Sequence, residues 1–335
     1  MRGLTPADLH PPTLNAQGPG GQLAARHRQL KADAPATKLT FRDHWNRPDV
    51  RGTLYARQGR ICTYCGRCLP DNDKGDVEHF RPKGKVAEDD AHGGYWWLAY
   101  TFSNYLMSCS VCNRVYKRDR FPLRPGARQR VTFETRQRLR HEARLLVHPF
   151  DTDPIHGSIE QWLQVDWQET NCFIWPRETL SPKQRVQVQG TLDFFRINRS
   201  PRLIQERNNI RNNVLNALDQ GDNVQVKQSA SRFRPHSLIA RQMIQDRQRL
   251  DLMPTPLEEL RDFVLAELTL LDIAFRLLDQ HPEDDSLKRV AQEQLWILVA
   301  LWYDPPVATS SDAERFLPPM IQDRLRPYLN QFGEA

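Results

Sequence analysis

Hydrophobic residues in the second half of the chain recur with the period of an α-helix. In residues 256–279, a line of apolar side chains is spaced three or four positions apart. Its members are Leu260, Val264, Leu268, Leu271 and Phe275. Residues 286–303 have a similar pattern. A stripe of this kind is typical of a helix that buries one face, so we expect both segments to pack in a helical core.

Three more segments in this half are predicted to be helical. They are residues 185–197, 201–221 and 229–250, and Ser200 followed by Pro201 is a helix start signal for the second of them. No internal repeat is visible. The second half therefore predicts a helical bundle.

The first half of the chain has a less regular pattern. Residues 1–38 are rich in proline, glycine and small polar residues, which predicts a flexible arm. Residues 41–59 have helical features, with Asn46 as a possible cap and Pro48 in the first turn. Residues 60–123 are rich in turn-forming residues and hold almost every side chain with candidate chemistry.

The region between these halves combines one helix with short strands. Residues 135–146, TRQRLRHEARLL, are predicted to form a basic amphipathic helix, and the stretch up to Trp175 contains candidate short strands. The expected fold class is α+β and mostly helical. The expected domains are an arm at 1–38, a small module at 39–150, a connecting segment at 151–180 and a helical, partner-docking region at 181–335.

Composition adds a basic balance to this picture. Lysine and arginine number 47 against 41 acidic residues, which gives a formal charge of +6. Arginine matches the geometry of phosphate groups, so nucleic acid is a reasonable partner, although a solvated arginine-rich surface has the same composition. No apolar run reaches the roughly 18 residues that a membrane helix requires, and the start lacks the pattern of a signal peptide. We therefore expect a cytoplasmic protein without a membrane partner.

Two pairs of cysteines have the spacing of metal ligands. Cys62 and Cys65 form one pair, and Cys109 and Cys112 form the other. Two thiolates that are two residues apart bind one ion, and four complete the closed tetrahedral shell of a structural zinc site. Cys68 is an alternative ligand because it lies at the same spacing after Cys65, but a fifth thiolate has no role in such a site.

The loop between the cysteine pairs contains the decapeptide DVEHFRPKGK, residues 76–85. A neutral histidine such as His79 can take a proton from water at cellular pH. Glu78 and Asn113 provide oxygen ligands that suit a hard cation such as Mg²⁺ or Mn²⁺. Arg81 and Lys83 are candidate phosphate contacts, or plain solvated charges.

The strand geometry leaves one choice open. Neighbouring side chains of a regular strand point to opposite faces, so Glu78 and His79 can reach one site only if the strand ends or bulges there. Asp76 shares a face with Glu78 and is a competing metal ligand. The aromatic run at 95–100 is predicted to supply packing for this small module rather than base stacking.

These residues resemble a known family in their order along the chain. The stretches CTYCG, DVEHFRPK, YWWLAY, SNYLMSCSVCNRVYK and FPL are similar to HNH endonucleases, and most similar to the PtuB-like HNH proteins of Septu and retron antiphage systems. The resemblance covers residues 60–123 and implies a ββα-metal fold. It also implies an ABC-type ATPase partner that is PtuA-like.

The resemblance implies a role for each matched residue. His79 is the general base, Glu78 and Asn113 are the metal ligands, and Asn104 braces the loop that orients the histidine. Lys117, four residues after Asn113, is a further candidate for nucleic-acid binding. Many family members have histidine at the position of Asn113, and an amide oxygen there favours magnesium or manganese over zinc.

Three functions remain as hypotheses at this level. The first is a metal-dependent endonuclease that cuts DNA as the effector of a defence complex. The second has the same chemistry with RNA, such as a tRNA, as the substrate, because nothing in the motif reports a 2′-hydroxyl. The third is a zinc-stapled module that binds nucleic acid without cutting it.

Overall fold

The structure is a computed structural model, and it covers most of the chain between residues 29 and 303. The described residues are 29–30, 32, 39–69, 75–149, 151–153, 155 and 157–303. The predicted N-terminal arm therefore lies almost entirely outside the described residues. The last part of the predicted docking region, residues 304–335, also lies outside them.

The described part of the chain is mostly helical, as expected. Its α-helices are α1 (Pro48–Gln58), α2 (Pro182–Phe194), α3 (Pro201–Gln220), α4 (Asn223–Ala230), α5 (Ser237–Asp246), α6 (Pro256–Gln280) and α7 (Asp285–Tyr303). The strands are short: β1 (Asp76–His79), β2 (Tyr105–Ser108), β3 (Thr152–Asp153), β4 (Gly157–Ser158), β5 (Leu163–Val165) and β6 (Ile174–Pro176). They pair as three antiparallel two-stranded sheets, β1–β2, β3–β4 and β5–β6.

Proline and capping side chains fix the starts of three long helices. Ser181, Ser200 and Thr255 each precede a proline, and each hydroxyl oxygen accepts a hydrogen bond from a backbone N–H in the first turn. These bonds satisfy donors that have no partner within the helix. The predicted start at Ser200 is therefore confirmed.

Three local predictions were wrong. Residues 229–250 do not form one helix, because α4 ends at Ala230 and α5 covers only Ser237–Asp246. Helix α1 begins at Pro48 as expected, but its N-cap is Arg47, and the Asn46 side chain instead donates to Asp43. Residues 135–146 do not form an amphipathic α-helix, because only Arg136–His141 is helical, as a 3₁₀ segment. The chain leaves the helix at Glu142, whose carboxylate is drawn into the interior by buried partners.

The C-terminal helices pack directly against α1. Arg51 of α1 donates to Glu293 of α7 over 2.9 Å, and both side chains are buried. Gly52 allows the close approach, because a Cβ at this position would lie 2.5 Å from Cβ of Trp296. Helix α6 adds an ion pair between Glu267 and Arg60 at 3.0 Å. The apolar stripe of α6 is thus part of a core that α1 shares.

Residues at the end of α2 and at the start of α5 contact the segment that carries the first cysteine pair. Tyr64 stacks on Phe195 with 4.1 Å between ring centroids. The backbone N–H of His236 donates to the carbonyl of Gly66 over 2.9 Å. None of the helices in the described ranges combines the length and the apolar character needed to cross a bilayer.

Candidate functional site

Four cysteine side chains meet in the interior. Cys62 and Cys65 lie in the turn after α1, whereas Cys109 and Cys112 lie at the end of β2 and in the helical segment after it. Their sulfur atoms all lie within 4.8 Å of one another, and the Sγ atoms of Cys65 and Cys109 are 3.9 Å apart. Tetrahedral zinc with Zn–S bonds of about 2.3 Å separates its sulfurs by roughly 3.8 Å.

This sulfur cluster fits a metal ion with the properties of structural zinc. The four side chains are buried, which leaves no open coordination position for a substrate. Cys68 is exposed and lies outside the cluster, so the choice of Cys62 and Cys65 as the first pair agrees with the geometry. An ion in this position fixes residues 62–65 against residues 109–112.

The cluster holds a small strand pair with a helical segment behind it. In the β1–β2 pair, Asp76 lies opposite Ser108 and His79 lies opposite Tyr105. A π-helical segment, Val111–Lys117, follows β2 directly. Two acidic side chains of β1 face this segment, because Asp76 accepts a hydrogen bond from Asn113 and Glu78 pairs with Lys117.

His79 occupies the end of β1 and is nearly enclosed. Its Nε2 lies 3.0 Å from the carbonyl oxygen of Ala99, and its ring meets the rings of Trp45 and Tyr105 edge to face. Burial is the main cause that lowers the pKa of His79, to about 3, and the nearby charge of Lys83 adds to it. The ring is therefore neutral at cellular pH.

The carbonyl of Ala99 determines the tautomer of this ring. A carbonyl oxygen can only accept, so Nε2 of the neutral His79 ring carries the proton and donates it. Its Nδ1 then has a free lone pair, and no described residue donates a hydrogen bond to that atom. A neutral histidine with one nitrogen anchored and a free lone pair on the other has the geometry of a general base.

Asn104 forms three hydrogen bonds with the backbone of the loop around His79. Its Oδ1 accepts from the backbone N–H of Arg81 over 2.9 Å. Its Nδ2 donates to the carbonyl of Arg81 over 3.0 Å and to the carbonyl of Leu98 over 3.3 Å. Because Leu98 precedes Ala99, one buried amide ties the segment after His79 to the segment that bonds its ring.

Glu78 is a buried carboxylate with a buried cation beside it. Its Oε1 lies 3.1 Å from the Nζ of Lys117, although the two atoms are poorly aligned for a hydrogen bond. Burial raises the pKa of Glu78, and the charge of Lys117 opposes that rise. The side chain of Lys117 has no exposed surface.

Asn113 contacts Asp76 rather than Glu78. Its Nδ2 donates to Oδ2 of Asp76 over 3.0 Å, and Arg114 forms an ion pair with the same carboxylate. Burial raises the pKa of Asp76, but the hydrogen bonds from Arg114 and Asn113 outweigh it and hold the pKa below its usual value. Both carboxylates therefore remain candidates for a metal ligand next to the amide oxygen of Asn113.

The side chains of Glu78 and His79 start from opposite faces of β1, as the alternation of a strand requires. Strand β1 ends at His79, and this is the condition under which the side chains of Glu78 and His79 can reach one site. Lys83 lies near both, and its positive charge lowers the pKa of each of them. Its ammonium lies 4.3 Å from the ring centroid of Trp45, which also contacts His79.

Two of the three predicted phosphate contacts are engaged inside the protein. Arg81 pairs with the buried carboxylate of Glu142 at 3.0 Å, and Lys117 faces Glu78. In this geometry neither side chain presents its charge to a nucleic acid. Lys83 is half-buried and forms no ion pair within the described part of the chain, so it remains the candidate among the three.

Sequence reasoning missed several groups that support His79. They are the carbonyl of Ala99, the rings of Trp45 and Tyr105, and Glu142, which holds Arg81. The carbonyl has no sequence signal, since every residue has one. Trp45 lies outside the cysteine-bounded loop, and only its position before α1 brings it to the histidine.

Two curated proteins are similar to parts of this chain. A Septu protein PtuB from Bacillus mycoides (strain KBAB4) is 33% identical over 91 residues, which are 26% of this chain and 30% of that protein. A retron Vc95 putative HNH endonuclease from Vibrio cholerae serotype O1 biovar El Tor is 29% identical over 159 residues, 47% of this chain and 61% of that protein. This chain thus spans less than two thirds of each relative.

The other comparisons have no match. No family model matches the chain, and no solved structure matches it. The two relatives are nevertheless of the kind that the cysteine pairs and the acid–histidine strand indicate. They confirm, over part of the chain, its resemblance to the HNH proteins of Septu and retron antiphage systems.

Proposed function

We propose that this protein is a metal-dependent HNH endonuclease that hydrolyses phosphodiester bonds of DNA in the cytoplasm. The observation that carries the proposal is the anchored ring of His79, with Nε2 bonded to the Ala99 carbonyl in a loop that Asn104 braces. The zinc-type cysteine cluster at the base of this loop supports it. So does the similarity to a putative HNH endonuclease.

The anchored ring explains how the chain would activate water. Nδ1 of His79 receives the proton of the attacking water, and the developing positive charge stays on a ring whose Nε2–H is fixed to a carbonyl. The edge-to-face contacts with Trp45 and Tyr105 prevent the ring from turning. Positioning of this kind is a large part of the rate enhancement that an enzyme site provides.

Oxygen atoms on the other side of β1 fit a hard cation. Glu78 or Asp76, together with the amide oxygen of Asn113, would hold Mg²⁺ or Mn²⁺. When bound, such a cation stabilises negative charge on the phosphate and on the leaving oxygen. Because Lys117 already lies 3.1 Å from Glu78, a cation held by this carboxylate shares it with Lys117 or displaces that ammonium.

The helical region, residues 181–335, is proposed to dock a partner, an ABC-type ATPase like PtuA. The similarity to a Septu protein PtuB supports this assignment. Helix α6 offers a place for contact, because Leu265, Ile273 and Leu277 on it are exposed. Aspartate at these three positions should abolish co-purification with a co-expressed PtuA-like ATPase, and unchanged co-purification would refute docking at this face.

A cleavage assay with a matched histidine variant tests the proposed activity. The protein should cut DNA in Mg²⁺ or Mn²⁺, and His79→Ala should bind DNA without cutting it. His281→Ala, at an exposed position after α6, should cut like the parent. If His79→Ala cuts as fast as the parent, the assigned base is wrong.

Parallel substrates separate the remaining hypotheses. Cleavage of RNA but not of DNA by the same protein would select the RNA endonuclease. Binding of nucleic acid without cleavage in either metal would select the non-catalytic module. Since neither alternative has its own structural feature in the described residues, DNA cleavage remains the proposal.

A further inference from the structure

An open groove of about 740 Å³ lies beside the loop that bonds His79. We call it the aromatic groove, and define it by the lining residues Trp96, Trp97, Phe133, Arg138 and His141. His79 does not line it, and neither do the cysteines or the acids of β1. The groove is therefore a surface separate from the His79 site and from the cysteine cluster.

The aromatic groove presents ring surface rather than aliphatic surface. The rings of Trp96 and Phe133 lie 4.6 Å apart at an angle of 36°, and both side chains are only half-buried. The guanidinium of Arg136 covers the Phe133 ring at 4.1 Å. Tyr95, Trp97 and Tyr100 of the same aromatic run are buried, so the packing predicted for this run is observed, and Trp96 differs from them.

A basic rim adjoins these rings, with Arg138 in the groove lining and Arg136 over the Phe133 ring. The segment 128–140 carries four exposed arginines and one exposed acid, Glu134. The arginines are Arg128, Arg136, Arg138 and Arg140. The side chain of Arg138 forms no hydrogen bond or ion pair with any described residue.

Two of the three acids in the groove wall are neutralised from within, and the third, Glu134, is exposed. Glu142 accepts hydrogen bonds from Arg81 and from the hydroxyl of Tyr95, and Asp89 pairs with Arg130 at 3.5 Å. The charge that faces outward is therefore mainly that of the arginine rim. Ring faces next to a line of cations are the two components of surfaces that bind single-stranded nucleic acid, because bases stack and phosphates pair.

The aromatic groove is connected to the histidine through a short rigid segment. The 3₁₀ turn Trp96–Leu98 leads directly to Ala99, whose carbonyl bonds His79. The groove wall and the anchor of the His79 ring are therefore parts of one continuous segment, residues 96–99.

We propose that the aromatic groove binds an unpaired stretch of nucleic acid, with a base on Trp96 and a phosphate on Arg138. A duplex hides its base faces, so the ligand is a single strand, an open end or a loop. The position of this strand next to a scissile phosphate rests on the proposed nuclease function. The binding itself does not depend on cleavage.

Binding to a labelled oligothymidine strand tests the proposal in a His79→Ala background, where no cleavage by the proposed mechanism interferes. Trp96→Ala should weaken binding about tenfold, as loss of one stacked base does. Arg138→Glu should weaken binding and should lower the slope of log affinity against log salt by about 0.7, one phosphate contact for a single strand. If the same changes also weaken binding to an oligouridine strand, that result supports the proposal as well.

Matched variants at other exposed sites serve as controls. Trp175→Ala removes another partly exposed tryptophan, and Arg276→Glu reverses an exposed arginine on α6. Both should leave the affinity and the salt slope unchanged. Because Trp96 also packs on its neighbours, Arg138→Glu is the variant that tests binding without risk to the fold.

Two results would overturn the groove assignment. One is parental affinity and salt slope in Arg138→Glu. The other is a fully base-paired form of the probe that binds as tightly as the single strand and is unaffected by Trp96→Ala. A cleavage assay of the protein with His79 intact separates the two proposals. If that protein does not cut but the groove variants still bind more weakly, the groove assignment is supported and only the nuclease proposal is contradicted.

Discussion

Removal of the amide of Asn104 should loosen the loop that orients His79. Asn104→Ala deletes three hydrogen bonds, to the N–H and carbonyl of Arg81 and to the carbonyl of Leu98. At about 1 kcal/mol for each net hydrogen bond, the free energy of unfolding should fall by about 3 kcal/mol. The N–H and the carbonyl of Arg81 lose the partner that Asn104 provides, whereas the carbonyl of Leu98 still accepts from the N–H of Thr101.

The loss should appear in both stability and cleavage. A decrease of this size corresponds to a fall in Tm of about 6 °C, on the low side of the usual range because the chain is long. A loop that shifts by about 1 Å moves the Ala99 carbonyl away from His79 and should reduce the cleavage rate about 100-fold. The rate is measured well below either Tm, so that the fraction of unfolded protein does not affect it.

The control for this prediction is an asparagine in another setting. Asn213 is exposed on α3, and Asn213→Ala should change neither Tm nor rate, apart from a small gain in helix stability. Differential scanning calorimetry and a plasmid-nicking assay give the two readouts. A rate equal to that of the parent in folded Asn104→Ala would refute the positioning role of this side chain.

The other predictions concern the metal cluster, the helix contact and the buried ion pair. Elemental analysis should find one zinc per chain in the parent and in Cys68→Ser, but none in Cys109→Ser. The Cys109→Ser variant should also unfold at a lower temperature. Equal zinc in the two variants would contradict the ligand assignment. Gly52→Ala should destabilise the protein by about 1–3 kcal/mol through the clash with Trp296, despite the better helix propensity of alanine, and a raised Tm would show that the contact is loose. Lys117→Met leaves the carboxylate of Glu78 buried and unpaired, so the free energy of unfolding should fall by about 3–5 kcal/mol and Tm should fall with it. Mn²⁺ should raise the Tm of this variant more than it raises the Tm of the parent. No response of the variant to Mn²⁺ would count against a cation site at Glu78.

Four helices of the second half, α2, α3, α6 and α7, were predictable because each has its own periodic pattern, whereas the break between α4 and α5 was not predicted. The stripe from Leu260 to Phe275 is a single face of α6, and Ser200 before Pro201 gives the start of α3. The metal cluster was predictable for a similar reason, since two residues between cysteines is a spacing set by the ion itself. In both cases the information is local in the chain.

The rest depended on contacts between distant residues. Residues 135–146 have a helical pattern, yet Glu142 leaves the helix for buried partners near position 81. Lys117 looked like a surface cation, but the π-helical segment directs it inward to Glu78. Neither outcome has a signal in the adjacent sequence, because each depends on a charged partner that is distant in the chain: Arg81 for Glu142, and Glu78 for Lys117.

The docking of α1 on the C-terminal helices was also not predicted. The buried pair of Arg51 and Glu293 joins residues that are far apart in the chain, and Gly52 matters only because Trp296 lies against it. The predicted boundary between a nuclease module at 39–150 and a helical region at 181–335 therefore separates segments that share a core. We expect that removal of α7 would destabilise the module that carries the cysteines.

A crystal structure of His79→Ala with a bound DNA strand and Mn²⁺ tests the central claim most directly. Anomalous scattering should place manganese on an oxygen of Glu78 or Asp76 and on the amide oxygen of Asn113, beside a phosphate that faces position 79. The cation and the phosphate should be absent from any other carboxylate cluster. Manganese and phosphate bound together elsewhere, with these three side chains still paired as they are now, would contradict the account.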